Sequence, residues 1–238
     1  MKLDILAFGS HPDDVELSCS GTLLKHISLG KKAGIIDLTQ GELGTRGNAS
    51  LRLKEATKAA KILGVEIREN LKMADGFFSN DKQHQLKIIS SIRKYKPEIV
   101  LCNSISDRHP DHSKGAQLVT DACFLSGLTK IETSFNGKKQ EAWRPKVIYH
   151  YIQYWDVQPS FVVDISSFIN KKMEALKAFS SQFHDPNSKE PATLISQAGF
   201  LDEVKYRAEN LGRIIGAKYA EGFVAQRYVG VKNLFDLL

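Results

Sequence analysis

Short apolar runs alternate with segments of helical periodicity through the first half of the chain. The apolar runs lie at residues 3–8, 33–39, 67–73 and 98–102. Apolar or small residues that recur every three or four positions predict helices at residues 15–29, 50–63, 84–95 and 113–126. Strands and helices in this order form parallel βαβ units, with helices on both faces of the sheet. We therefore predict an α/β protein with a Rossmann-like, mostly parallel sheet flanked by helices.

The second half continues this pattern less regularly. Strands are predicted at residues 147–153 and 161–165, and helices at residues 168–183 and 197–215. Ser50 is the expected cap of the second long helix and Gly64 its end. The polar residues 130–145 are typical of a surface loop. Because no repeat or linker divides the chain, we expect a single domain over residues 1–238.

Composition excludes several classes of protein. With 42% hydrophobic and 25% charged residues, the chain is neither disordered nor fibrous. The net charge of +6 is not gathered into a basic stripe, so we expect no nucleic-acid partner. The sequence has no apolar run of about 18 residues, and we expect no membrane partner. Three cysteines without a C-x-x-C pair fit a reducing compartment, which favours a cytoplasmic protein.

The first segment that carries chemistry follows the first predicted strand directly. It reads Gly9-Ser10-His11-Pro12-Asp13-Asp14 and precedes a helix. Open parallel sheets bind ligands just beyond the carboxyl ends of their strands, so we expect the active site there. The simpler alternative is that Asp13 or Asp14 caps the helix and His11 lies in a surface turn.

A second segment repeats the His-Pro-Asp triplet after the fourth predicted strand. It reads Asp107-Arg108-His109-Pro110-Asp111-His112. If the two strand ends are neighbours, imidazoles and carboxylates from both segments share one cleft, and such a donor set suits Zn²⁺ with one position left for water. A turn with helix capping is again the alternative, because Pro110 and Asp111 are both turn formers. The repeated triplet favours the metal site, but spacing alone leaves open which residues ligate.

A glycine-rich loop follows the second predicted strand at residues 39–47. It contains neither a G-x-G-x-x-G motif nor a P-loop lysine, which argues against a dinucleotide or nucleotide site. Arg46 lies in this loop and Arg52 at the start of the next helix. Each is either a solvated charge or a fork for a carboxylate or other anionic group of a substrate. We favour the fork for Arg52 and leave both interpretations open for Arg46.

Taken together, these motifs resemble those of the PIG-L/LmbE family of zinc-dependent N-deacetylases. The resemblance rests on His11-Pro12-Asp13-Asp14, on the loop at residues 39–47 and on His109-Pro110-Asp111-His112, and it covers nearly the whole chain. Residues 181–183 and 219–223 are similar to the branch that acts in bacillithiol biosynthesis. The resemblance implies a hydrolase that removes acetyl from an N-acetylglucosamine-type sugar, and the branch implies N-acetylglucosaminyl-malate.

The resemblance also implies which residues bind the metal. They are His11, Asp14 and His112. The implied cofactor is one Zn²⁺ ion, although a His–Asp–His site also accepts Fe²⁺, Co²⁺ or Mn²⁺. Adjacent residues point in different directions, so Asp14 can ligate while Asp13 faces the attacking water.

Catalytic roles follow from the same positions. By resemblance, Asp13 is the general base, His109 the electrophile or acid, and Asp111 the partner that orients His109. The resemblance also implies that Arg52 contacts the substrate. Arg46 is a second candidate for substrate binding, from its place in the glycine-rich loop alone.

Other functions stay open at this stage. The same chemistry would serve N-acetylglucosamine itself, a chito-oligosaccharide or a mycothiol-like conjugate. A third possibility is a non-catalytic sugar-binding α/β domain that has kept the cleft. The partner that we expect is a small acetylated amino sugar, and the resemblance implies a homo-oligomer.

Overall fold

Nine strands and seven α-helices build the part of the chain that the computed structural model describes, residues 1–237; Leu238, the last residue of the predicted domain, lies outside it. The strands are β1 (Ile5–Gly9), β2 (Ala33–Thr39), β3 (Ile67–Met73), β4 (Ile99–Cys102), β5 (Ser134–Phe135), β6 (Lys138–Lys139), β7 (Val147–Tyr151), β8 (Phe161–Asp164) and β9 (Ala220–Ala225). The helices are α1 (Asp14–Ser18), α2 (Ser20–Ser28), α3 (Ala49–Leu63), α4 (Lys82–Tyr95), α5 (Pro110–Leu125), α6 (Ile169–Lys177) and α7 (Phe200–Ile214). None of these helices combines the length and apolarity needed to cross a bilayer.

Seven strands form one sheet in the order β3-β2-β1-β4-β7-β9-β8. The first five pair in parallel, and β9 runs antiparallel to both β7 and β8. The predicted fold class, a Rossmann-like and mostly parallel sheet, is therefore confirmed. β2 and β3 lie on one side of β1, and the later strands, starting with β4, lie on the other side. A crevice opens at such a reversal, beyond the carboxyl ends of β1 and β4.

Apolar side chains from alternate positions of the strands fill both faces of the sheet. On one face, Leu6 and Phe8 of β1 pack with Val100 of β4 and with α4 and α5. On the other face, Ile5 and Ala7 pack with Val15, Leu23 and the helices on that side. This alternation follows from the two-residue period of a strand. The strands that lead to the crevice are thus buried, β1 at every position and β4 at all but Ile99.

The predicted helix over residues 15–29 is wrong, because the chain forms two helices that meet at Cys19. Cys19 has φ −141°, which is not helical. The second helix starts there because the carboxylate of Glu221, far along the chain, accepts the backbone N–H groups of Gly21 (2.9 Å) and Thr22 (2.7 Å). A cap from a residue this distant leaves no local signal in the sequence.

Three further predictions about the second half need correction. The strand Ala220–Ala225 was not predicted, since a charged Glu221 and Gly222 interrupt its apolar character. The helix expected at residues 168–183 ends at Lys177, and the loop at residues 130–145 contains the β5–β6 hairpin. In the first half, α3 ends at Gly64 as predicted (φ 74°), but its cap is Asn48 rather than Ser50.

Candidate metal centre and catalytic cleft

Three histidine rings meet in the crevice beyond β1 and β4. The ring centroids of His11 and His109 are 4.6 Å apart, those of His109 and His112 5.0 Å, and those of His11 and His112 5.5 Å. One nitrogen from each ring lies within 4.8 Å of the other two. The two His-Pro-Asp segments, about 100 positions apart in the sequence, thus form one cluster.

Asp14 lies between two of these rings. Its Oδ2 is 3.6 Å from His11 Nδ1, and its Oδ1 is 3.2 Å from His112 Nε2. Asn103 and Gln153 donate side-chain N–H groups to the same carboxylate, at 2.9 and 3.2 Å. This carboxylate and the two rings face one another with atoms suited to a divalent cation.

A second carboxylate orients each of the two rings. His11 Nε2 lies 3.0 Å from Asp75 Oδ1, and His112 Nδ1 lies 3.0 Å from Asp107 Oδ1. A ring nitrogen that donates its proton to such a partner leaves the other nitrogen free to bind metal. In both rings the nitrogen left free is the one that faces Asp14.

Asp13 adopts a strained backbone conformation at the start of α1. Its φ of 113° lies in the region that side chains rarely occupy, and its carboxylate makes no capping hydrogen bond. Asp14 likewise accepts the backbone N–H of His11 rather than one from the helix. Capping therefore does not explain the Asp-Asp pair, and buried strain of this kind is concentrated at functional sites.

Arg52 contacts both Asp13 and the backbone of the turn that precedes it. Its Nη2 is 3.1 Å from Asp13 Oδ2 and also donates to the carbonyl of Pro12, while Nη1 donates to the carbonyl of Gly41. The Arg52 side chain is only 6% exposed. Its predicted contact with substrate stays a prediction; in this structure its partners belong to the chain.

Arg46 is buried too and ties the glycine-rich loop to a later segment. It donates to the carbonyl of Ser181 at 2.9 Å and to the hydroxyl of Ser188 at 3.0 Å. Gln182 in turn donates to the carbonyl of Arg46. These contacts hold the loop in place, and they leave substrate binding by Arg46 a prediction.

The structure brings His109 and Asp111 close, but through the backbone. His109 is the N-cap of α5, and its Nδ1 accepts the backbone N–H of Asp111 at 3.2 Å. The carboxylate of Asp111 instead accepts the N–H of Gly76 (2.7 Å), pairs with Lys114 (2.9 Å) and lies 3.5 Å from His11 Nε2. With Nδ1 as acceptor, His109 carries its proton on Nε2 when neutral.

Burial and charge give the neighbouring groups opposite protonation tendencies. Burial raises the pKa of Asp13 to about 7, although Arg52 opposes the shift. Burial would also raise the pKa of Asp14. The charges of His112 and His11 outweigh this effect and hold the pKa of Asp14 well below its usual range. The pKa of His112 reaches about 9, because Asp14 and Asp107 outweigh the effect of burial.

His109 differs from the other two histidines. Burial lowers its pKa, and the charges of His11 and His112 lower it further. His11 has a pKa well above its ordinary value, because Asp111, Asp14 and Asp75 outweigh the effect of its burial. The rings that face the carboxylates thus lie in a strongly negative environment.

Sequence reasoning missed four polar side chains of the cluster. They are Asp75, Asn103, Asp107 and Gln153. Asp75 and Asn103 follow predicted strands, Gln153 is the last residue of one, and Asp107 begins the second quoted segment, so all four lie where the rule on strand ends expects ligands. Asp107 stood inside the quoted segment, but nothing in its spacing indicated a histidine partner.

Comparisons with known proteins show which family this chain is similar to. Residues 6–123, which include every predicted site residue, match the family model described as PIG-L, GlcNAc-PI de-N-acetylase. The diacetylchitobiose deacetylase of Thermococcus kodakarensis is 30% identical over 189 residues, 75% of this chain and 70% of that protein. A probable N-acetyl-alpha-D-glucosaminyl L-malate deacetylase 2 from Bacillus anthracis is 24% identical over 75% of this chain and 81% of that protein. The crystal structure of the conserved protein TT1542 from Thermus thermophilus is 34% identical, with a TM-score of 0.85 over 96% of this chain and 97% of that one.

Proposed function

Because this chain belongs to the PIG-L family of deacetylases, we propose that it is a metal-dependent hydrolase that removes the acetyl group from an N-acetylglucosamine-type sugar. The observation that carries the proposal is the placement of two adjacent carboxylates. Asp14 lies between the rings of His11 and His112, while Asp13 lies against Arg52. One carboxylate is thereby available to a metal and the other to a proton.

The donor set fits a divalent cation such as Zn²⁺. His11 Nδ1, one Asp14 oxygen and His112 Nε2 would hold it, and three protein ligands with an open position are the catalytic arrangement. When bound, the cation supplies Lewis acidity and makes water a nucleophile at neutral pH. Fe²⁺, Co²⁺ or Mn²⁺ would serve the same donors.

Asp13 is the proposed general base. A carboxylate whose pKa is about 7 can accept the proton of the attacking water near neutral pH and return it to the leaving amine. Arg52 keeps Asp13 in place through the 3.1 Å contact of its Nη2 with Asp13 Oδ2. The two carboxylates have different partners, because Asp13 contacts Arg52 while Asp14 contacts His11 and His112.

His109 is the proposed electrophile. In its neutral form the Nε2–H can donate a hydrogen bond to the oxyanion that develops on the acetamide carbonyl. The backbone N–H of Asp111 fixes this tautomer by occupying Nδ1. Asp111 therefore orients His109 through its backbone amide. The carboxylate of Asp111 lies 3.5 Å from His11 Nε2 instead.

For the physiological substrate we propose N-acetylglucosaminyl-malate, in keeping with the similarity to the bacillithiol branch. Arg46 and Arg52 are engaged in contacts within the chain. We therefore assign the malate carboxylates to Arg108, which is exposed, precedes His109 and lies 5.2 Å from the Tyr154 ring. Diacetylchitobiose is the second candidate, because the relative from Thermococcus kodakarensis is named for that substrate and is 30% identical.

The test is amine release from a panel of N-acetylglucosamine, diacetylchitobiose and N-acetylglucosaminyl-malate, with bound metal measured in parallel. We expect Zn²⁺-dependent release, and a loss of about 10²–10⁴-fold in Asp13→Ala with its metal content unchanged. Full turnover by Asp13→Ala would refute the role of this base. Binding of the panel without any amine release would instead favour a non-catalytic sugar-binding domain.

A further inference from the structure

Asp107 joins the histidine cluster to a separate stretch of chain. Its Oδ1 lies 3.0 Å from His112 Nδ1. Its Oδ2 accepts the backbone N–H groups of Tyr154 (2.7 Å) and Trp155 (3.3 Å), which follow β7. The side chain is fully buried, so water does not compete for either oxygen. One carboxylate thus has two sets of partners that lie far apart in the sequence.

The Tyr154–Trp155 segment has few other anchors in the described chain. Arg207 donates to the carbonyls of Gln153 and Tyr154, and Arg108 lies over the Tyr154 ring. Both side chains of the segment are partly exposed, Tyr154 by 39% and Trp155 by 48%. Two connections therefore run from this exposed segment to the cluster. One is the pair of amide hydrogen bonds to Asp107, and the other is Gln153, the residue before Tyr154, whose side chain donates to Asp14.

From this arrangement we infer that Asp107 is a positioning residue that couples metal binding at His112 to the position of the Tyr154–Trp155 segment. Resting on the proposed function, the inference gives Asp107 two tasks. By accepting the Nδ1 proton it keeps the lone pair of His112 on Nε2, which faces Asp14. By accepting the two amides it places the segment at a fixed distance from the same ring.

A single substitution, Asp107→Asn, separates this role from simple packing. The asparagine side chain has the shape of aspartate but only one acceptor oxygen. If that oxygen faces His112, the Tyr154 and Trp155 amides lose their acceptor. If it faces the amides, the side-chain N–H₂ group forces the His112 proton onto Nε2, where metal must bind. Either way, the substitution breaks the coupling without leaving a cavity.

The surface pair Asp81–His84 offers a matched control. Asp81 Oδ2 lies 2.9 Å from His84 Nδ1, and Asp81 Oδ1 accepts the backbone N–H of His84 at 3.0 Å. The same atom types meet in the same way, but outside the crevice. Asp81→Asn therefore tests whether loss of any Asp–His pair has the effects expected of Asp107→Asn.

Trp155 supplies the readout. The chain has two tryptophans, and Trp143→Phe leaves Trp155 as the only fluorophore of this type. In this background we expect Zn²⁺ to reduce acrylamide quenching of Trp155. We expect Asp107→Asn to bind Zn²⁺ about 10–100-fold more weakly, by chelator competition, and to lose the change in quenching at saturating Zn²⁺. Asp81→Asn should keep both.

The inference is overturned if Asp107→Asn keeps either the Zn²⁺ affinity or the quenching response of the parent. Circular dichroism of the metal-free variants shows whether they fold. If Asp107→Asn does not fold, the test is made on the parent protein alone. Acrylamide quenching of Trp155 that is the same with and without Zn²⁺ also overturns the coupling. A parent that shows the Zn²⁺ response but releases no amine from any sugar counts against the proposed function only.

Discussion

Arg52 Nη2 lies 3.1 Å from Asp13 Oδ2, and both side chains are almost completely buried. The contact joins α3, the helix that follows the glycine-rich loop, to the strained turn after β1. It gives the arginine a part in setting the position of the general base. The geometry of this turn therefore depends on a residue 39 positions away.

Removing this contact should impair turnover more than binding. We expect Arg52→Gln to lower kcat about 100-fold, since a small misplacement of the base has an effect of this size. Arg52→Lys should lose less, because the ammonium keeps the charge but not the fork. The measurement is kcat and KM for each variant, with bound Zn²⁺ quantified. A change confined to KM would instead support the substrate contact that the sequence predicted.

Arg108 should separate the two candidate substrates. We expect Arg108→Gln to raise KM for N-acetylglucosaminyl-malate about tenfold or more and to leave KM for diacetylchitobiose unchanged, because only the first substrate carries carboxylates. Arg144, which lies over the Phe124 ring, is a control for loss of an exposed arginine. Equal effects of Arg108→Gln on both substrates would remove Arg108 from the specificity of the site.

Metal removal should weaken the fold as well as the activity. The carboxylates of Asp14, Asp75, Asp107 and Asp111 each lie within 3.6 Å of His11 or His112, and they gain a positive neighbour when a cation binds to these rings. At a Zn²⁺ concentration 100 times Kd we expect about 2.7 kcal/mol of added stability. Urea unfolding with Zn²⁺ and with chelator measures the difference. The same stability with and without Zn²⁺ would contradict a site formed in the native state.

The buried pair of Lys172 and Glu221 gives a prediction away from the cleft. Lys172 Nζ is 2.7 Å from Glu221 Oε1 and 2.8 Å from the carbonyl of Leu17, and both side chains are at most 3% exposed. We expect Lys172→Met to cost about 3–5 kcal/mol, because Glu221 stays buried without its partner.

An exposed pair is the control for that experiment. Lys139 and Glu132 pair on the surface, where the side chains are 67% and 72% exposed. Lys139→Met should leave the free energy of unfolding unchanged, since solvent screens such pairs. If both substitutions have the same effect in urea unfolding, the buried pair has no special part in the fold.

The sequence predicts the sheet and the meeting of the two His-Pro-Asp segments because both depend on local signals. Apolar runs define the strands, and the rule on strand ends places His11 beside His112. The break at Cys19 and the strand at Ala220–Ala225 escape prediction for the opposite reason. Both depend on Glu221, whose partners Lys172 and Gly21 are 49 and 200 positions away.

The sequence predicts which residues lie in the cluster better than it predicts what each of them does there. The family resemblance implies Asp111 as the partner of His109, yet the fold turns its carboxylate toward Gly76 and Lys114. Side-chain direction at the first turn of a helix depends on what packs against that turn. Here the partner is the loop after β3, which no pattern in the sequence connects to α5.

The hydrogen bonds from Gly21 and Thr22 to Glu221 have a consequence for synthesis of the protein. All of the predicted site residues are made within the first 112 positions, but the helix that follows α1 begins on a carboxylate supplied by residue 221. During translation the cleft residues therefore emerge from the ribosome long before the strand that anchors their supporting helix. We therefore expect the helix that follows α1 to gain its capping carboxylate only after residue 221 has been synthesised.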